Sequence, residues 1–154
     1  MNRNILLIVI GAIILCFAGL NNKFPLLTPD SGAYINSGFT KEVPFDRPGL
    51  YGLFVAHASW GRSLWLVIFC QALALSLMVY YYFRYFSGNK NYMAFYLVCI
   101  FFITFFMSGS ITASTIDPGV FAIISLLSMG LLLFADKPGK RDFNIIAITF
   151  VVSC

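Results

Sequence analysis

Four apolar runs constrain this chain more than any other feature. Residues 5–20 make a run of sixteen, 63–83 of twenty-one, 92–107 of sixteen and 118–135 of eighteen. A helix needs about 20 residues, within a range of roughly 17–25, to cross the hydrocarbon layer of a bilayer. The second and fourth runs reach that range unaided. The first and third reach it by taking in Asn21 and Asn22, or residues 108–112. A fifth run, 143–154, has twelve residues, and the chain stops inside it. The runs therefore predict an all-α integral membrane fold: four transmembrane helices and a truncated fifth, in a single bundle over 1–154. Ending within a helix, the sequence reads as the N-terminal part of a longer protein. Composition agrees, with 60% apolar and 10% charged residues where a soluble domain carries roughly 25% charged.

The basic residues set an orientation. Cytoplasmic loops carry an excess of Lys and Arg. With the N-terminus inside, Arg3, Arg84, Lys90, Lys137, Lys140 and Arg141 fall in three short inner pieces, and Lys23, Lys41, Arg47 and Arg62 are spread over the long first outer loop. The net charge of +4 has the same origin: basic residues beside a membrane meet anionic headgroups, so it points to membrane lipid and not to nucleic acid. The first run is longer than the 7–15 residues of a signal peptide's apolar region and lacks a small-x-small cleavage site. Cys16, Cys70, Cys99 and Cys154 all lie inside apolar runs. No pair has metal-ligand spacing, so they read as small buried hydrophobes.

The first outer loop, 21–62, is where chemistry is expected, because scaffolded loops present side chains that helices only position. It holds three of the six acids, with Lys41, Arg47 and the single histidine, His57. Thr28-Pro29-Asp30-Ser31 reads as a helix start, hydroxyl cap followed by proline and acid, and Gly38 as its stop. A second start follows at Asp46-Arg47-Pro48. From there Leu50, Leu53, Phe54 and His57 fall on one helical stripe, which predicts an amphipathic helix lying in the interface with Leu53 and Phe54 buried. Two short interfacial helices are thus expected in this loop, with Trp60 and Trp65 in the headgroup belt.

Each candidate residue also has a plainer role. Asp30 can cap its helix, Arg47 can meet headgroups, and His57 can be a half-buried histidine satisfied by a neighbour. Asp117, in Ser114-Thr115-Ile116-Asp117-Pro118, can be the cap of the fourth run with proline following it. Topology raises Asp30 and Asp117 above these roles: both start helices on the outer side. Two carboxylates facing one cleft can supply a general base and a cation or orienting group. Helix N-termini also attract phosphate.

The segments Pro29-Asp30-Ser31-Gly32-Ala33-Tyr34 and Asp46-Arg47-Pro48-Gly49-Leu50-Tyr51-Gly52-Leu53-Phe54, followed by a run containing Gln71 and ending in aromatics and Arg84, resemble the opening of GT-C-type membrane glycosyltransferases. Protein mannosyltransferases and aminoarabinose transferases belong to that group. Asp117 in Thr115-Ile116-Asp117 stands where the family often has a second acid. The resemblance covers about residues 1–135. It implies a protein of a bacterial inner membrane that transfers a sugar from a polyprenyl-phosphate carrier to an acceptor on the outer face. Asp30 would then take or orient the acceptor proton, and Arg47 would hold lipid phosphate. Asp117 would position the acceptor or a divalent cation, and Tyr34 and Tyr51 would stack on sugar or prenyl groups. Ser31 stands where many relatives carry another acid, which argues against a metal held by the protein.

The competing class is non-enzymatic: a transporter, a lipid flippase or an assembly subunit of the envelope. Transporters place ionisable residues in mid-membrane. Here the four long runs hold no Asp, Glu, Lys or Arg between their ends, and Gln71 is their most polar residue.

Overall fold

The computed structural model of the protein describes residues 3–42, 49–87, 91–136 and 138–154. Every regular element among them is helical: α1 (Arg3–Leu15), α2 (Phe17–Asn22), α3 (Ser31–Thr40), α4 (Gly49–Ser59), α5 (Leu64–Phe86), α6 (Tyr92–Phe106), α7 (Gly109–Ser114), α8 (Gly119–Phe134) and α9 (Lys140–Ser153). The long helix α5 is the axis, and α1, α4, α6, α7 and α8 all pack on it. Ser76 Oγ donates to Ile8 O, and Cys16 Sγ lies 3.9 Å from Ile68 O, so α1 runs antiparallel to α5.

The all-α expectation holds, but the expectation of four transmembrane helices does not. Among the described residues only α5, at 23 residues, is long and apolar enough to cross a membrane, and the core helix of a soluble protein passes the same test. The other runs are shortened by breaks that apolar composition does not mark. The first run divides at Cys16 into helices of 13 and 6 residues. The third ends at Phe106; Ser108 then takes a left-handed conformation (φ 55°) before α7 begins. The fourth yields a helix of 16 residues. At 1.5 Å per residue, helices of 13 to 16 residues rise about 20–24 Å, short of the ~30 Å hydrocarbon layer. The fifth run begins earlier than its apolar part: α9 opens with Lys140, Arg141 and Asp142.

The loop expected on the outer side does contain two short helices, α3 and α4, though in a different register from the expected one. Gly38 does not stop α3, which continues to Thr40 and ends at left-handed Lys41 (φ 62°). Instead Gly38 packs against the backbone carbonyl of Gly52, and Gly52 against Ser37 Oγ. Two glycines facing one another let the helix backbones touch, a contact no Cβ would permit. The buried face of α4 is Tyr51, Gly52, Val55 and Ser59. Leu53, expected to be buried, is 42% exposed, while Phe54 is half-buried. The inward stripe runs one position later than the apolar pattern suggests, because close approach to α3 selects the small and aromatic residues.

Candidate functional site

Where α7 hands over to α8, the chain leaves helix for four residues, 115–118, and its carbonyls must find partners elsewhere. The backbone of Leu26 forms a parallel bridge with this segment: Leu26 N donates to Ser114 O (2.9 Å) and Ile116 N donates to Leu26 O (3.0 Å). Two side chains supply the rest. Gln71 of α5, fully buried, donates through Nε2 to Ala113 O (2.9 Å) and Thr115 O (2.7 Å). Ser31, at the start of α3, donates to Ile116 O (2.7 Å) and accepts from Thr28 N (2.8 Å). The residue next to Asp30 is thereby bonded to the residue next to Asp117. The segments that carry the two acids meet at one end of the bundle.

Asp117 is half-buried, and its Oδ1 accepts from Gly119 N (2.7 Å), which caps α8. A carboxylate has about four acceptor positions, so this bond does not exhaust it. Asp30 is exposed and occupies the cap position of α3 without making a capping bond to the helix amides.

Tyr34 and Tyr51 form a wall beside these acids, not a free stacking platform. Both are buried, and their rings meet edge to face at 5.1 Å. Phe121 packs on Tyr51 at 5.5 Å and on Phe54 at 4.8 Å. Such pairs contribute about 0.5–1.5 kcal/mol each beyond the area they bury. The Tyr51 hydroxyl donates to Gln71 Oε1 (3.3 Å), so one amide binds both the α7–α8 segment and α4. Burial raises the Tyr51 phenol above its ordinary range, the charge of Asp117 pushes it further, and a bond with the Asp117 backbone opposes the rise. A cavity of about 400 Å³ opens alongside, lined by Tyr51, Pro118, Phe121 and Ser125 and reaching Ser153 and Cys154 of α9.

The remaining sequence candidates lie apart. His57 is exposed on α4, not half-buried as expected, with Nδ1 2.7 Å from Leu53 O of its own helix. Arg47 falls outside the described residues. Among the described residues no three His, Cys, Asp or Glu side chains cluster as metal ligands would.

Sequence reading noted Gln71 as an oddity in an apolar run but not as the keystone of this site. Its signal was present: a lone amide in a helix core must be hydrogen-bonded. A second polar cluster was missed altogether. At the far end of α5, Arg84 Nη1 lies 3.2 Å from Asp142 Oδ2, and the same carboxylate accepts from Tyr85 (2.7 Å) and Tyr81 (3.3 Å) hydroxyls. Compared with family models, curated proteins and solved structures, the chain matches none.

Proposed function

We propose that this chain belongs to a membrane glycosyltransferase, moving a sugar from a polyprenyl-phosphate donor to an acceptor at the end of the bundle where the segments carrying Asp30 and Asp117 come together. The observation that carries the reading is the Ser31–Ile116 bond, which joins those segments; Pro118, next to Asp117, and Tyr51, which packs on Tyr34 of α3, line the adjoining cavity of about 400 Å³. In this reading Asp30 is the general base for the acceptor hydroxyl. Asp117, held at the head of α8, orients the acceptor, and Arg47 meets the donor phosphate through its planar fork. Tyr51 and Phe121 line the space that the sugar or its carrier enters. No metal-dependent step belongs to the proposal.

The membrane location rests on α5 together with the outer surface of its neighbours. Val98, Phe106, Leu126, Phe134 and Val151 are each more than 65% exposed, a distribution suited to lipid contact. In this reading Arg3, Arg84, Lys140 and Arg141 mark the cytoplasmic end and residues 21–62 face outward. Cysteines introduced at Asn36 and Gly139 should then react from outside and inside respectively.

The deciding experiment is sugar transfer from a polyprenyl-phosphate donor in a host deleted for the protein and complemented with variants of the complete chain. Asp30→Asn should lose most activity at normal expression, since the amide keeps the size but not the basicity. Full activity of Asp30→Asn overturns the assignment. It would favour the second reading, an assembly or transport subunit, which the capping duty of Asp117 and the self-satisfied His57 support.

A further inference from the structure

The chain carries a second cavity far more apolar than the one beside Asp117. Both α6 and α8 pack on α5, and between them lies a trough of about 440 Å³ whose floor is Leu75 and Val79 and whose sides are Ile103, Ile123 and Leu127. Tyr82 and Phe83 close one end of it and are shared with a further cavity of about 300 Å³, which opens at Phe86, Ser87 and Phe95. The two cavities therefore lie next to one another, separated by the Tyr82 and Phe83 side chains.

We propose that this trough binds one acyl chain of an anionic glycerophospholipid as a fixed structural lipid. The proposal rests on the membrane reading above and goes beyond it by naming a site. Three observations carry it. The first is shape. The larger cavity follows α5 from Leu75 to Phe83, roughly 12 Å of helix rise, which leaves a cross-section of about 37 Å². That admits an extended hydrocarbon chain and is too narrow for a helix about 10–12 Å across. The second is chemistry. Thr112 is the only hydroxyl other than Tyr82 on the lining of the larger cavity, and Cys99 completes an otherwise hydrocarbon wall, so a chain gains burial and water gains no partners. The third is charge. The mouth at Ser87 lies at the end of α5 that carries Arg84. Among the described residues there, Arg3, Arg84, Lys140 and Arg141 outnumber Asp136 and Asp142, which favours a negative headgroup.

The test uses the full chain in phosphatidylcholine nanodiscs carrying a trace of phosphatidylglycerol with a diazirine at mid-chain. After photolysis and peptide mapping, label should concentrate on residues 75–83 and 99–103. It should fall about tenfold in Cys99→Trp and in Leu127→Trp, whose indoles fill the trough, with elution profile and Tm retained. A phosphatidylcholine probe bearing the same diazirine should label less. If one filling variant fails to fold, the other and the headgroup comparison still decide. Label spread evenly over the exposed Phe102, Leu126 and Val151 faces overturns the trough alone, as does undiminished labelling of a folded filling variant. Equal labelling by the two headgroups overturns the anionic assignment. Recovery of the chain in the aqueous fraction without detergent overturns the membrane reading, and the lipid site with it.

Discussion

The two ends of α5 solve the same problem by opposite means. At one end, Gln71 joins α4, α5 and the α7–α8 segment through a neutral amide that is fully buried. About 20 Å away along the helix, Arg84 joins α5 to α9 through an ion pair with Asp142, the side chains being 41% and 15% exposed. The difference follows burial. Enclosing a charge costs far more than enclosing an amide, so a neutral group serves where water is excluded and a charged pair where it is partly admitted. The amide end is also the end with the cavity and both candidate acids. The amide holds the acid-bearing segments together, whereas the ion pair fixes the start of α9 against α5.

This contrast predicts a hierarchy of effects. Gln71→Leu should be the most damaging change. It leaves the carbonyls of Ala113 and Thr115 and the Tyr51 hydroxyl buried without their partner, a loss of about 2–5 kcal/mol, read as a large fall in Tm of the purified chain. A small effect would mean that the Leu26 bridge and the Ser31 bond hold the α7–α8 segment without the amide. Next comes Gly38→Ala, whose methyl would meet the Gly52 carbonyl at a cost of about 1–3 kcal/mol. Gly32→Ala, with open space around it, should be neutral in the same thermal assay. Equal behaviour of the two alanines would break the claim that α3 and α4 touch backbone to backbone.

A third effect is alkaline. The Tyr51 phenol is raised in the fold. The folded state therefore holds its proton more tightly than the unfolded chain does. The resulting stability is present in full below the unfolded value of about 10 and declines as pH rises beyond it. Tyr51→Phe should remove that part of the alkaline decline in a Tm-versus-pH series, and an unchanged slope would count against the burial of this phenol. The smallest effect belongs to the charged end. Arg84→Gln leaves the Asp142 carboxylate to accept from both tyrosines and loses the partly exposed pair, about 0–1 kcal/mol, and high salt should shrink the difference between variant and parent. A loss rivalling that of Gln71→Leu would erase the distinction between the two ends.

The helix start at Asp117 was legible because a cap residue acts on its own neighbours. The start before α3 was misplaced by two residues: Asp30, not Thr28, holds the cap position, and the helix begins at Ser31. The stripe on α4 misled because Leu50, Leu53 and His57 form a regular apolar face that α3 does not touch. Packing against a glycine contact outweighed hydrophobic periodicity. The long runs misled for a related reason. Their composition reports avoidance of water, but a helix break such as that at Ser108 requires only one residue in a left-handed conformation.

By itself the amino-acid sequence determined that the chain is helical and strongly apolar, and that Asp30 and Asp117 stand near helix starts. These properties depend on local hydrogen bonding, period and composition, all of which act within a few residues. Only the tertiary structure decided which groups meet. Gln71 bonds residues 42 and 44 positions away, Ser31 one 85 positions away, and Asp142 tyrosines 57 and 61 positions away. A buried polar side chain takes as partners whichever carbonyls are left open when the helices around it end. Which ones those are depends on the packing of the whole bundle and on no single stretch of chain.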